Sequence, residues 1–260
     1  MLKEKVAIVT GSTSGIGLGI ARALAIEGCR VALNGRRETE ETEALREEIA
    51  AAAGTSVIFH RADMSRPDDI YTMVEAVTEE LGPVDILVNN AGVQHVAPIT
   101  EFSPENWDMV LATNLSSAFH CAKAVLPAMQ ARKWGRIINI ASAHGLVASP
   151  FKAAYVAAKH GMLGLTKVIA LETAEQGVTC NAICPGYVWT PLVARQIDDQ
   201  ARAHGIPRDE VIRDVILAPQ PTKQFATIEE VAALAVFLAS DAARSITGAA
   251  LPIEGGWTAR

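Results

Sequence analysis

The sequence predicts a single doubly wound α/β domain, a seven-stranded parallel sheet with helices on both faces. Three observations predict it. Short β-rich runs alternate with longer stretches of helical periodicity along all 260 residues. Two central runs, Ile86-Leu87-Val88 and Ile137-Ile138-Asn139-Ile140, are almost continuously apolar, as strands covered on both faces are. A glycine-rich turn separates the first β-rich run from the first helical one.

The elements follow in order. Strand Val6–Thr10 leads to helix Gly17–Glu27, and strand Arg30–Asn34 to helix Glu38–Ala53. Strand Ser56–His60 precedes helix Asp68–Leu81, and strand Ile86–Asn89 precedes a long helix, Pro104–Ala131. Strand Arg136–Ala141 is followed by helix Phe151–Gln176, then strand Val178–Ile183, helix Thr227–Ser240 and strand Ala250–Ile253. Such alternation means parallel strands joined by right-handed helical crossovers. Nothing reads as a linker or repeat, so residues 1–260 are expected to form one domain. Residues 190–222 break the rhythm: the pattern is helical but irregular, with Pro191, Pro207, Pro219 and Pro221. An insertion of that kind after a strand end is a candidate lid.

Half of the residues are apolar, enough for a sizeable core. A net charge of −6 without basic clusters argues against nucleic acid as a partner. Leu2-Lys3-Glu4-Lys5 leads into a strand rather than a secretory apolar segment. No apolar run is long enough to span a bilayer. The expected location is the cytoplasm, with no membrane partner. Cys29, Cys121, Cys180 and Cys184 form no C-x-x-C pair and no zinc-finger spacing. They read as reduced and buried, and no metal site is expected.

Thr10-Gly11-Ser12-Thr13-Ser14-Gly15-Ile16-Gly17 places glycines at G-x-x-x-G-x-G spacing between the first strand and first helix. Glycines allow a tight turn and close backbone approach to a pyrophosphate. The open N–H groups and dipole of the helix favour that anion.

Four further motifs follow in order: Asn89-Asn90-Ala91-Gly92, then Thr113-Asn114-Leu115, then Ser142 with Tyr155-Val156-Ala157-Ala158-Lys159, then Pro185-Gly186-Tyr187-Val188-Trp189-Thr190. Together they resemble the short-chain dehydrogenase/reductase family over the whole chain. The resemblance implies a Rossmann-type fold, a nicotinamide cofactor and a catalytic set of Asn114, Ser142, Tyr155 and Lys159. It implies cofactor contacts from Gly11, Thr13, Ser14, Gly15, Ile16 and Gly17. Further contacts are implied from Met64, Asn90, Ala91, Gly92, Tyr155, Lys159, Pro185, Gly186, Val188 and Thr190. Asp63 reads either as an acceptor for the adenine amino group or as a helix N-terminal aspartate. Members of the family are usually tetramers, so a homotetramer is expected.

Elementary chemistry agrees with those roles. Tyr155 and Lys159 are four apart on one helix and share a face. A phenol titrates near 10, too high for a good base at neutral pH. An ammonium and a positive nicotinamide are expected to lower it. Ser142 is expected to donate to the substrate oxygen. By resemblance, Asn114 holds a water in a proton relay from Lys159.

The end of the second strand decides between NAD and NADP. Here Leu33-Asn34-Gly35-Arg36-Arg37 carries no carboxylate, and its arginines favour NADP; they also read as solvated helix-start residues. The substrate pocket favours NAD. Gln94 and His95 follow the Asn-Asn-Ala-Gly motif, His144 lies two residues past Ser142, and Lys152 precedes Tyr155 by three. Gln196 lies in the lid segment. These donors suit a small anionic substrate. Asn90–His95, Ala141–Ser149, Thr190–Gln196 and Gly255–Arg260 resemble the branch of the family that oxidises D-3-hydroxybutyrate. That resemblance implies that Gln94, His144, Lys152 and Gln196 hold the substrate carboxylate, with NAD as cofactor. Arg36, Trp189 and Pro150-Phe151 depart from the branch's pattern. Trp257 reads as a substrate-pocket or interface residue, or as packed on its own subunit. Two alternatives stand beside this reading: an NADPH-dependent 3-oxoacyl-thioester reductase, and a nucleotide-binding regulator without turnover.

Overall fold

The computed structural model describes residues 2–190, 193, 194, 197, 198, 201 and 205–259. Strands β1 (Val6–Val9), β2 (Arg30–Gly35), β3 (Val57–Arg61), β4 (Ile86–Asn89), β5 (Gly135–Ile140), β6 (Val178–Pro185) and β7 (Ala250–Ile253) form one sheet. Its order is β3-β2-β1-β4-β5-β6-β7, and every pair is parallel. The order reverses between β1 and β4, where Val9 pairs with Val88. Open α/β sheets bind ligands at such a switch point, beyond the carboxyl ends of the strands.

Alternation along β1 explains the layers. Ala7 and Val9 face one apolar cluster, which also takes Ile20 and Leu24 of α1 (Gly15–Ile26), Ile49 of α2 (Glu40–Ala53) and Val231 and Leu238 of α7 (Ile228–Ala239). Val6 and Ile8 face the opposite cluster, with Ile70 and Val77 of α3 (Pro67–Leu81) and Val125 and Met129 of α5 (Ser117–Arg132). Successive strand side chains point to opposite faces, so a strand covered twice is apolar at every position. No helix among the described residues is long and apolar enough to cross a membrane. All four cysteines are free and buried.

Every strand lies within two residues of its predicted bounds. The helices differ more at their ends; α1 starts at Gly15, the helix predicted over Phe151–Gln176 ends at Glu172, and three further differences have local causes. Thr39 and Thr42 form a reciprocal capping box, so α2 starts at Glu40. Phe151 has φ +66°, which no right-handed helix admits, so α6 (Ala153–Glu172) starts two residues later than the periodicity predicts. The predicted helix Pro104–Ala131 is three pieces: α4 (Pro104–Leu111), a π-helical turn (Ala112–Ser116) and α5. Asn114 sits in that widened turn, a common place for functional residues.

In the segment expected as a lid, Val193, Ala194, Ile197, Asp198 and Ala201 are helical. A short turn at Arg208–Glu210 runs into a π-helical stretch, Val211–Ile216. Val193, Ile197, Val211, Ile216 and Leu217 build a small apolar cluster of their own.

Candidate active site

The glycine turn is fastened on two sides. The Gly11 N–H donates to Asn34 Oδ1 at 3.0 Å, and Asn90 Nδ2 donates to the carbonyls of Thr10 and Gly11 at 2.9 and 3.0 Å. Gly11 and Gly15 have φ of +61° and +58°, the region glycine favours. A Cβ on Gly11 would stand 2.9 Å from Ala91 Cα. The turn feeds α1, whose first turn has no acidic residue and no side-chain cap, so its N–H groups stay open to an anion. Beside it lies a cleft of about 520 Å³. Gly11, Thr13, Ser14, Gly15 and Ile16 line one wall, and Asn90, Ala91 and Gly92 line another. Arg36, Asp63, Met64 and Thr190 complete it. An uncapped helix start, a turn opened by Gly11 and Gly15, and a long cleft fit a dinucleotide.

Two predicted cofactor residues sit behind this wall. Gly17 is buried and does not line the cleft; a side chain there would collide with Asn90 Nδ2, so its role is close packing. Pro185 ends β6, buried and away from the cleft surface. Asn34, at the end of β2, is 1% exposed, and its Nδ2 donates to the carbonyls of His60 and Ala62. Arg36 is exposed on the rim. Asp63 Oδ1 accepts from the Ser65 N–H and hydroxyl, and these bonds hold its carboxyl below the usual value.

At the carboxyl end of β5, Ser142 caps a short 3-10 turn and accepts from the His144 N–H at 3.1 Å. Tyr155 and Lys159 lie one turn apart on α6, with Lys159 Nζ 5.6 Å from the Tyr155 ring centre. That ammonium donates to the Ile140 carbonyl at 2.7 Å. Burial pulls Lys159 down to about 8. Within the chain itself burial raises the Tyr155 phenol, opposed by a hydrogen bond with Ser142 and reinforced by Tyr187. Removing a phenolate from water costs more than the chain's own groups return. Asn114 is fully buried, its Oδ1 accepts from the Val93 N–H at 2.8 Å and its Nδ2 donates to the Val93 carbonyl at 2.9 Å. Its amide clamps the loop after β4.

A second cleft of about 150 Å³ shares Ile16 and Thr190 with the first. Gln94, Ser142, His144, Lys152, Tyr155 and Trp257 all line it, with Gly186 and Val188 in its floor. No carboxylate is among the described residues of its wall. His144 is 5% exposed, and its Nε2 pairs with Ser149 Oγ at 2.8 Å. Burial, then the charges of Lys152 and His160, bring its imidazole down to about 4. Burial also lowers Lys152. Trp257 packs on its own subunit, edge-on to His144 at 5.0 Å. His95 turns away, its Nε2 3.3 Å from Asn106 Nδ2. Gln196 lies outside the described residues. The reading from motifs missed Tyr187 and Val193 as lining residues; Tyr187 stood inside the Pro-Gly segment and was the available signal.

The sequence profile of the short chain dehydrogenase family matches residues 5–201. A D-beta-hydroxybutyrate dehydrogenase of Rhizobium meliloti (strain 1021) is 56% identical over 256 residues, 98% of this chain and 99% of that one. Another of that name, from Cupriavidus necator, is 54% identical over 261 residues and the full length of both chains. The solved structure of an F189W actinorhodin polyketide ketoreductase with NADPH superposes with a TM-score of 0.92 at 39% identity, covering 100% of each chain. With the seven-stranded parallel sheet, the glycine cradle and the gathered Ser142, Tyr155 and Lys159, these matches establish that the chain belongs to the short-chain dehydrogenase family of NAD(P)-dependent oxidoreductases.

Proposed function

We propose that this dehydrogenase oxidises D-3-hydroxybutyrate to acetoacetate, with NAD⁺ as acceptor. The second cleft carries the reading: a hydroxyl, a phenol, a neutral imidazole, an amide and an ammonium converge on about 150 Å³. A small anion bearing a hydroxyl group matches that set, because charge-assisted hydrogen bonds orient it. The full-length similarity to two D-beta-hydroxybutyrate dehydrogenases supports the same substrate.

In this reading Ser142 Oγ and the Tyr155 hydroxyl bracket the substrate hydroxyl, and Tyr155 takes its proton. When bound, the nicotinamide supplies the hydride acceptor and a positive charge that offsets the burial raising Tyr155. Lys159, held near 8, carries the proton onward. Lys152 holds the carboxylate with Gln94, His144 and, by resemblance, Gln196. Asn114 fixes the Val93 loop through its amide. The glycine turn and the α1 N-terminus take the pyrophosphate. Asp63 Oδ2 takes the adenine amino group, since Ser65 engages Oδ1. Residues 190–222 act as the lid of one domain, 1–260. Exposed Phe119, Val168 and Leu171 on α5 and α6 support a homotetramer.

A second reading, NADPH-dependent reduction of a 3-oxoacyl thioester, is favoured by Arg36 on the cleft rim and by the lack of a carboxylate at the end of β2. The test follows reduced nicotinamide absorbance with D-3-hydroxybutyrate and either NAD⁺ or NADP⁺. Rapid reduction of NAD⁺ is expected. No turnover with either sinks the assigned substrate, and thioesters with NADPH then become the substrates to test.

A further inference from the structure

The second cleft is enclosed by contacts that the proton transfer does not itself require. Lys152 Nζ donates to the Tyr187 hydroxyl at 3.4 Å and lies 5.6 Å from the centre of its ring. That ring stacks on Trp257, with centroids 5.8 Å apart and planes 5° from parallel. Trp257 meets His144, and His144 meets Tyr155 edge-on at 5.9 Å. An unbroken line of side chains therefore runs from the ammonium to the acid/base.

The backbone of Tyr187 is pinned. Its N–H donates to Gln220 Oε1 at 2.5 Å, and its carbonyl accepts from the Ala226 N–H at 3.0 Å. Gln220 is fully buried, with its own Nε2 donating to the Gln224 carbonyl at 2.7 Å. A side chain at Gly186 would strike Gln220 Oε1, so the neighbouring glycine admits this support. Burial holds the Tyr187 phenol above its ordinary value, so it stays protonated at neutral pH. A neutral hydroxyl orients an ammonium without cancelling its charge. With no carboxylate among the described residues of the wall, that charge is left for a substrate carboxylate. The volume, about 150 Å³, is below the roughly 300–1,000 Å³ of pockets for drug-sized ligands.

We infer that Tyr187 determines substrate specificity: its hydroxyl positions the Lys152 ammonium for the substrate carboxylate, and its ring, backed by Trp257, limits the cleft to 3-hydroxy acids of about four carbons. The inference rests on the carboxylate reading of the cleft proposed above.

The test compares wild type, Tyr187→Phe and Tyr187→Ala with D-3-hydroxybutyrate, with its six-carbon homologue, and with acetate as a competitive inhibitor of the carboxylate end. Tyr187→Phe keeps the stacked ring and loses only the hydroxyl. It is expected to raise KM for the four-carbon acid and Ki for acetate about tenfold, while kcat changes less than about twofold. Tyr187→Ala, or Tyr187→Leu should the alanine variant not fold, is expected to shift kcat/KM about tenfold towards the six-carbon acid. Unchanged KM and Ki in Tyr187→Phe overturn the positioning role. An unchanged preference in both the alanine and leucine variants overturns the size limit. A wild type that turns over neither acid overturns the substrate reading together with this inference; an active wild type with unaltered variants overturns only the part assigned to Tyr187.

Discussion

Burial brings His144 from 6.5 to about 4, with Lys152 and His160 adding to the effect. The imidazole is therefore neutral at physiological pH and offers one donor and one acceptor. Its folded value is below its unfolded one, so its stabilising contribution is fully present above pH 6.5 and is lost as pH falls towards 4. The loss is on the order of 3 kcal/mol. Thermal melts of wild type and His144→Gln from about pH 4 to 8 should show the wild type losing more stability on acidification. Parallel curves would rule this out. Histidine in a sequence carries no sign of such a shift, because the cause is packing by Tyr155 and Trp257. Asn114 makes the same point: its motif was legible, but the partner of its amide, Val93, was not.

At the scale of elements, the glycine turn was readable because its geometry is local. Positive φ at Gly11 and Gly15 and an uncapped helix start follow from a few consecutive residues. Gly11→Ala should disrupt the turn twice, by strained φ and by the Ala91 backbone 2.9 Å away. We expect at least about a hundredfold weaker nucleotide binding, with a folded protein; calorimetric titration with either dinucleotide measures it. Retained affinity would show that the cradle is not the pyrophosphate site. The π-helical turn between α4 and α5 was not readable, because the helical periodicity continues through it. Within it Asn114 bonds Val93, a contact 21 residues away in sequence that no local pattern announces.

For the molecule as a whole, the exposed apolar residues are the feature a lone chain leaves unused. Leu171 is 79% exposed and Val168 51% on α6, and Phe119 is 47% exposed on α5. Apolar surface of this kind is usually covered in an assembly. Light scattering should give four times the 27.6 kDa chain mass, and Leu171→Glu should lower it. A monomer at working concentration would refute the proposed tetramer. The sheet order places β1, β4, β5 and β6 side by side, so the loops after them converge at one end. That convergence turns four dispersed motifs into two adjoining clefts.

The amino-acid sequence by itself determined the alternation of strands and helices, the glycine turn, and the Tyr155–Lys159 pair, since each depends on spacings of a few residues. It also placed Ser142 at a strand end. Only the tertiary structure decided that Gly17 and Pro185 stand behind the wall of the first cleft, that burial raises Tyr155, and that Trp257 stacks on Tyr187 beside the second cleft. These depend on side chains brought together from distant elements and on the water they exclude, and neither quantity is written in local spacing.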